Sequence, residues 1–173
     1  MKDTMEQTAV ELGLTTASDP KSAEYDLVKS LLAAADFRNT EDAVTEFEIR
    51  RGGKFFYSVR IQPISEEEIR TARKKATSYM KNPQGAKYPP IEKDFNSSLF
   101  NSWLIYLATI PEDREKIWGN AAVKSKFGLM ENVETIDKLL LFGEKSAIVD
   151  KIIDVSGLGA EEAFEPEEYA KKS

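Results

Sequence analysis

The sequence predicts an α+β fold: a predominantly helical domain with a small antiparallel β-hairpin near residues 44–62, followed by a C-terminal helical bundle. Three observations predict it. Residues 44–51 alternate apolar and charged side chains at strand period, Gly52-Gly53 follows at once, and residues 54–61 resume the alternation. Residues 99–110 place large apolar side chains around more than half of a helix circumference. Residues 133–155 carry two apolar stripes at spacings of three and four, separated by Gly143. At 173 residues, 41% of them hydrophobic, the chain can bury one core. We assign residues 23–159 to a single α+β domain, with a flexible leader over 1–22 and an acidic, disordered tail over 160–173.

Each element has a local reason. Residues 24–37 put Leu27, Val28, Leu31, Leu32, Ala34 and Ala35 on one side of a short helix. In the hairpin, Phe47 and Ile49 alternate against Glu46, Glu48 and Arg50, and the returning strand sets Phe55, Tyr57, Val59 and Ile61 on one face. Such a hairpin is marginal alone in water, so its apolar face must cover helices or another strand. Ser65 and Glu68 form a capping box, Glu66 to Glu68 sit at the positive end of the helix dipole, and Ile69, Ala72, Ala76, Tyr79 and Met80 supply the buried stripe. Residues 82–93 hold three of the seven prolines and read as a loop. Asp94 caps the apolar helix, which should be central, and Pro111 ends it. Pro111 opens another short helix through Ile117 and Trp118, broken at Gly119-Asn120. Val133, Ile136, Leu139, Leu140 and Leu141 stripe the next helix, which stops at Gly143. Glu144 begins the last, with Ile148, Val149, Ile152 and Ile153 inward and Ser156-Gly157-Leu158-Gly159 as its stop. The two make an αα-hairpin.

Composition narrows function. Histidine and cysteine are both absent, which removes zinc sites, Ser-His-Asp and Cys-His chemistry, disulfides and thiol redox switching. No carboxylate pair divides acid and base roles, no Gly-rich loop joins a strand to a helix, and we expect no catalytic residue, no metal and no cofactor. No stretch reaches the roughly 18 apolar residues of a membrane span. The net charge of −6 argues against nucleic acid as a partner. The basic cluster Arg70, Arg73, Lys74 and Lys75 reads first as a solvated helix face and second as an anionic docking face. A protein partner is the expectation.

The candidate partner site is the run Leu139-Leu140-Leu141-Phe142. Four consecutive large apolar residues wrap a helix end, and one face cannot bury them all. Ile148 and Ile152 on the following helix, and Trp118 as an aromatic anchor, complete the candidate set.

These residues resemble the XkdN-like tail assembly chaperones of tailed phages and prophages. Three features carry the resemblance in order: R-I-Q-P-I-S-E-E-E-I-R from Arg60 to Arg70 running into a basic helix; an apolar helix, a Pro-containing break and N-A-A-V-K-S-K-F-G; and L-L-L-F-G-E-K-S-A-I-V-D-K-I-I-D-V-S-G-L from Leu139 to Leu158. The resemblance implies a small non-enzymatic protein of the bacterial host cytoplasm that binds the tape measure protein and keeps it soluble during virion morphogenesis. It also implies a longer form of the same protein made by programmed frameshift, for which Lys171-Lys172 is the pointer, and leaves a homo-oligomer and a tail tube protein contact open. A structural component of the tail or of a related injection particle is the alternative.

Overall fold

Two antiparallel hairpins and seven α-helices, with two short 3-10 turns and one π-helical turn, are found among residues 20–158, the residues described by the computed structural model. Most of the expected leader and all of the expected acidic tail lie outside them. Residues 20–22 already belong to helix α1 (Pro20–Asp36). The chain divides into two compact units, residues 1–39 and 40–173, with α1 in the first and the hairpin in the second. On α1, Leu27, Val28, Leu31 and Leu32 are all more than half exposed.

In the second unit, β1 (Thr45–Arg51) pairs with β2 (Lys54–Ile61) in the expected hairpin. Gly52 and Gly53 make the turn at φ 56° and 76°, values that a side chain would strain. A bulge interrupts the register between Ile49/Tyr57 and Arg50/Phe55, leaving Phe56 extra. Alternation is broken there, so Phe55 is exposed instead of joining Tyr57, Val59 and Ile61 on the inner face.

Helix α2 (Glu66–Ala76) starts on the capping box: Ser65 Oγ accepts from the Glu68 N–H, and Glu68 Oε2 from the Ser65 N–H. It ends earlier than the apolar spacing suggests. Thr77–Met80 forms β3, paired with β4 (Ile91–Phe95) in a second hairpin where the sequence reading has a helix end and a loop. Tyr79 and Met80 are therefore exposed rather than core. Asn96, not Asp94, caps α3 (Ser97–Ala108), its Oδ1 accepting from the Leu99 N–H at 2.9 Å.

α3 is the central helix: α2, α6 and α7 all pack on it. Its C-terminal end is tied to the first hairpin, because the Gln62 N–H donates to the Ala108 carbonyl and the Ile110 N–H to the Arg60 carbonyl. Pro111–Asp113 makes one helical turn, α4, continued as a π-helix from Arg114 to Trp118. Gly119 follows, where an added Cβ would stand 2.9 Å from the Glu115 carbonyl oxygen. Asn120 breaks the chain direction and also caps α5 (Ala121–Phe127), a helix the residue pattern did not announce. Helices α6 (Asn132–Leu139) and α7 (Phe142–Val155) make the αα-hairpin. Gly143 lies inside the first turn of α7 rather than stopping α6. The core gathers Ile49, Val59, Ile61, Ile105, Trp118, Ile136, Ile148 and Ile152.

Candidate partner-binding site

The turn between α6 and α7 contains the apolar run, and its backbone decides where each side chain goes. Leu140 and Leu141 are both extended, at φ/ψ −104°/137° and −73°/157°, and successive extended residues point to opposite sides. Leu140 turns inward and is 7% exposed, whereas Leu141 is 56% and Phe142 88% exposed. Leu139 is half-buried against the core. Trp118, Ile148 and Ile152 are fully buried and belong to the core rather than to the exposed surface. Leu140 is buried with them. Leu141 and Phe142 remain.

Five hydrogen bonds fix this protruding pair. Arg51, at the tip of the first hairpin, donates from Nε and Nη2 to the two Glu144 carboxylate oxygens, each at 2.8 Å. Its Nη2 also donates to the Leu139 carbonyl at 2.7 Å, and the Tyr57 hydroxyl donates to the same carbonyl at 3.2 Å. Glu144 in turn accepts from the Leu141 N–H at 2.7 Å, satisfying one free donor of the α7 N-terminus. The Arg51 guanidinium holds the Glu144 carboxyl below the usual range, and Glu144 raises Arg51. Burial pushes the Tyr57 phenol up to about 12, so it stays a neutral donor. The spacing of Arg51 and Glu144 in the chain, 93 residues, gave sequence reasoning no signal for this clamp.

Beside Phe142 lies a cleft of about 220 Å³ lined also by Ser97, Ser98, Asn101, Lys145 and Ser146. Lys145 is buried, and its ammonium donates to Asp137 Oδ1 at 2.6 Å, the Ser98 carbonyl at 2.8 Å and Ser98 Oγ at 3.0 Å. All three donors are used, so Lys145 cross-links α3, α6 and α7. Sequence held a trace of this: Lys145 sits three residues before Ile148 on the buried stripe, where a cation needs a partner. A second clamp, Arg60 to Asp113 at 2.6 Å, ties β2 to α4. Burial opposes ionisation of Asp113, but the Arg60 side chain and N–H hold its carboxyl below the usual range.

Helices and two small hairpins around one core define a small, mostly helical α+β domain with an apolar protrusion on its surface. The family model of the phage XkdN-like tail assembly chaperone proteins matches residues 22–171, and the chain belongs to that family. Among solved structures, the crystal structure of the protein yqbn is similar over 66% of this chain and 86% of its own, at 14% identity and a TM-score of 0.40. No curated protein matches. No helix among the described residues is long and apolar enough to cross a membrane.

Proposed function

We propose that this tail assembly chaperone binds the tape measure protein and keeps it soluble in the host cytoplasm while the tail is built, acting by binding without catalysis. The observation that supports the reading is the Leu141–Phe142 pair, exposed at the α6–α7 turn and held by Arg51, Tyr57 and Glu144. A protrusion whose backbone is already held can meet an apolar helical segment of a client at a smaller cost in conformational entropy. The net charge of −6 favours a basic client and opposes self-aggregation. Co-expression with the tape measure protein is the test: a soluble complex that co-purifies supports the proposal, and an insoluble client with nothing bound sinks it. Mass spectrometry of purified particles separates this reading from a structural role, because a chaperone is absent from mature tails.

A further inference from the structure

The last turns of α2 concentrate positive charge in this acidic chain. Residues 70–75 contain Arg70, Arg73, Lys74 and Lys75 and no acid. Arg70 pairs with Glu66 one turn back. Arg73 and Lys75 instead lie over aromatic rings, Phe95 at 5.6 Å and Trp103 at 5.4 Å. Neither they nor Lys74 meets a carboxylate among the described residues. Phe95 is exposed, like every residue of β4, and a cleft of about 270 Å³ opens at the base of the second hairpin between Lys75, Thr77, Asp94 and Leu99. An isolated two-stranded hairpin with one strand bare is marginal in water. Something of opposite charge with aromatic character would complete it.

The chain contains such a segment. Residues 161–169 read E-E-A-F-E-P-E-E-Y, with five glutamates, no cation, and Phe164 and Tyr169. The place where the described chain ends favours this occupant. The Ile64 N–H donates to Ser156 Oγ at 3.0 Å, so the end of α7 is tied next to the start of α2. At 1.5 Å per helical residue, Arg70 to Lys75 lie roughly 8–15 Å further along α2. Residues 156–158 close α7 in a turn, the Gly157 N–H donating to the Asp154 carbonyl and the Leu158 N–H to the Ile153 carbonyl; from Leu158 the three steps to Glu161 span up to about 10 Å. That length lets the first glutamates reach the near end of the cation cluster beyond the acidic turn Glu66 to Glu68, and the later ones reach its far end. A tether of this length gives an effective concentration on the order of millimolar.

We propose that the cationic, aromatic face formed by Arg73, Lys74, Lys75, Phe95 and Trp103 is the docking site of the chain's own acidic segment, residues 161–169. Carboxylates pair with the three cations, and the Phe164 and Tyr169 rings cover Phe95 and the hairpin base. A free polyanion such as nucleic acid is disfavoured by the net charge of the whole chain.

Because the chain has no cysteine, a nitroxide on Ala163→Cys in the full chain reports from one position. In amide spectra at low salt, the label should erase signals of residues 73–77 and 94–96. They should return at about 1 M salt, where the screening length falls to about 3 Å, and in a variant with Glu161, Glu162, Glu165, Glu167 and Glu168 all changed to Gln. Absence of that broadening at low salt overturns the proposal, as does its persistence in the Gln variant. Labelled chain mixed with unlabelled isotope-enriched chain supplies the remaining control. Broadening that arises only between molecules makes a second copy the occupant and also overturns it.

Discussion

Changing Phe142 to Asp and Leu140 to Ala, two residues apart, should separate binding from folding. Phe142 is 88% exposed, so a carboxylate there desolvates nothing and stands in the first turn of α7, where the helix dipole favours negative charge. Its effect on stability should stay within about 0.5 kcal/mol. Leu140 is 7% exposed and packed in the core, and truncating such a leucine costs about 2–5 kcal/mol. At 3 kcal/mol the folding equilibrium falls about 150-fold and Tm by roughly 6–12 °C for a chain of this size. Urea melts followed by circular dichroism measure this, alongside the fraction of co-expressed tape measure protein in the supernatant. Burial of a phenylalanine contributes about 1.5–3 kcal/mol, so Phe142→Asp should keep its urea midpoint while client affinity drops about 10- to 150-fold. Unchanged affinity would place the client site elsewhere. A Leu140→Ala protein with an unmoved midpoint would refute the inward orientation of that side chain.

Other substitutions test the frame. Gly143→Ala should raise stability by about 0.5 kcal/mol, since the residue is helical and nothing lies within 4 Å of the new Cβ; a loss in the urea midpoint would restore Gly143 as a helix stop. Trp118→Phe should cost about 1–3 kcal/mol, because it removes the 2.9 Å bond from the indole N–H to Thr109 Oγ1 and leaves a void in the core; chemical denaturation reads it directly. Asp113 and Glu144 have folded values below their ordinary 3.8 and 4.5. Their contribution is therefore full above those values and is lost as pH falls through the lower folded ones. Acid titration of the urea midpoint should show a decline beginning near about pH 5, and Asp113→Asn should flatten part of it.

How much of this was legible in the sequence depended on whether an element buries one face. The first hairpin was legible because Ile49, Val59 and Ile61 alternate inward and Gly52-Gly53 can take the positive φ its turn needs. The capping box at Ser65 was legible because it is local. The second hairpin was not, since all five residues of β4 face solvent and hydrophobic period carries no information there. Tyr79 and Met80 fit the helical spacing of Ile69, Ala72 and Ala76, but Thr77 is extended and ends the helix first. At the candidate site the apolar run was visible. Its division into one buried leucine and two exposed residues was not, because it rests on helix boundaries at Leu139 and Phe142 that Gly143 disguised. Arg51 looked like an ordinary charged strand end, and only the folded chain brings it to Glu144.

That last pairing has a consequence for the protein during its own synthesis. Arg51 leaves the ribosome 93 residues ahead of Glu144, and at about 5–20 residues per second the interval is roughly 5–20 s. Throughout it Arg51 lacks its Glu144 partner, and the turn carrying Leu141 and Phe142 does not yet exist. The protruding pair is fixed only after Glu144 has been made, so a chain that has produced the hairpin alone does not yet display it.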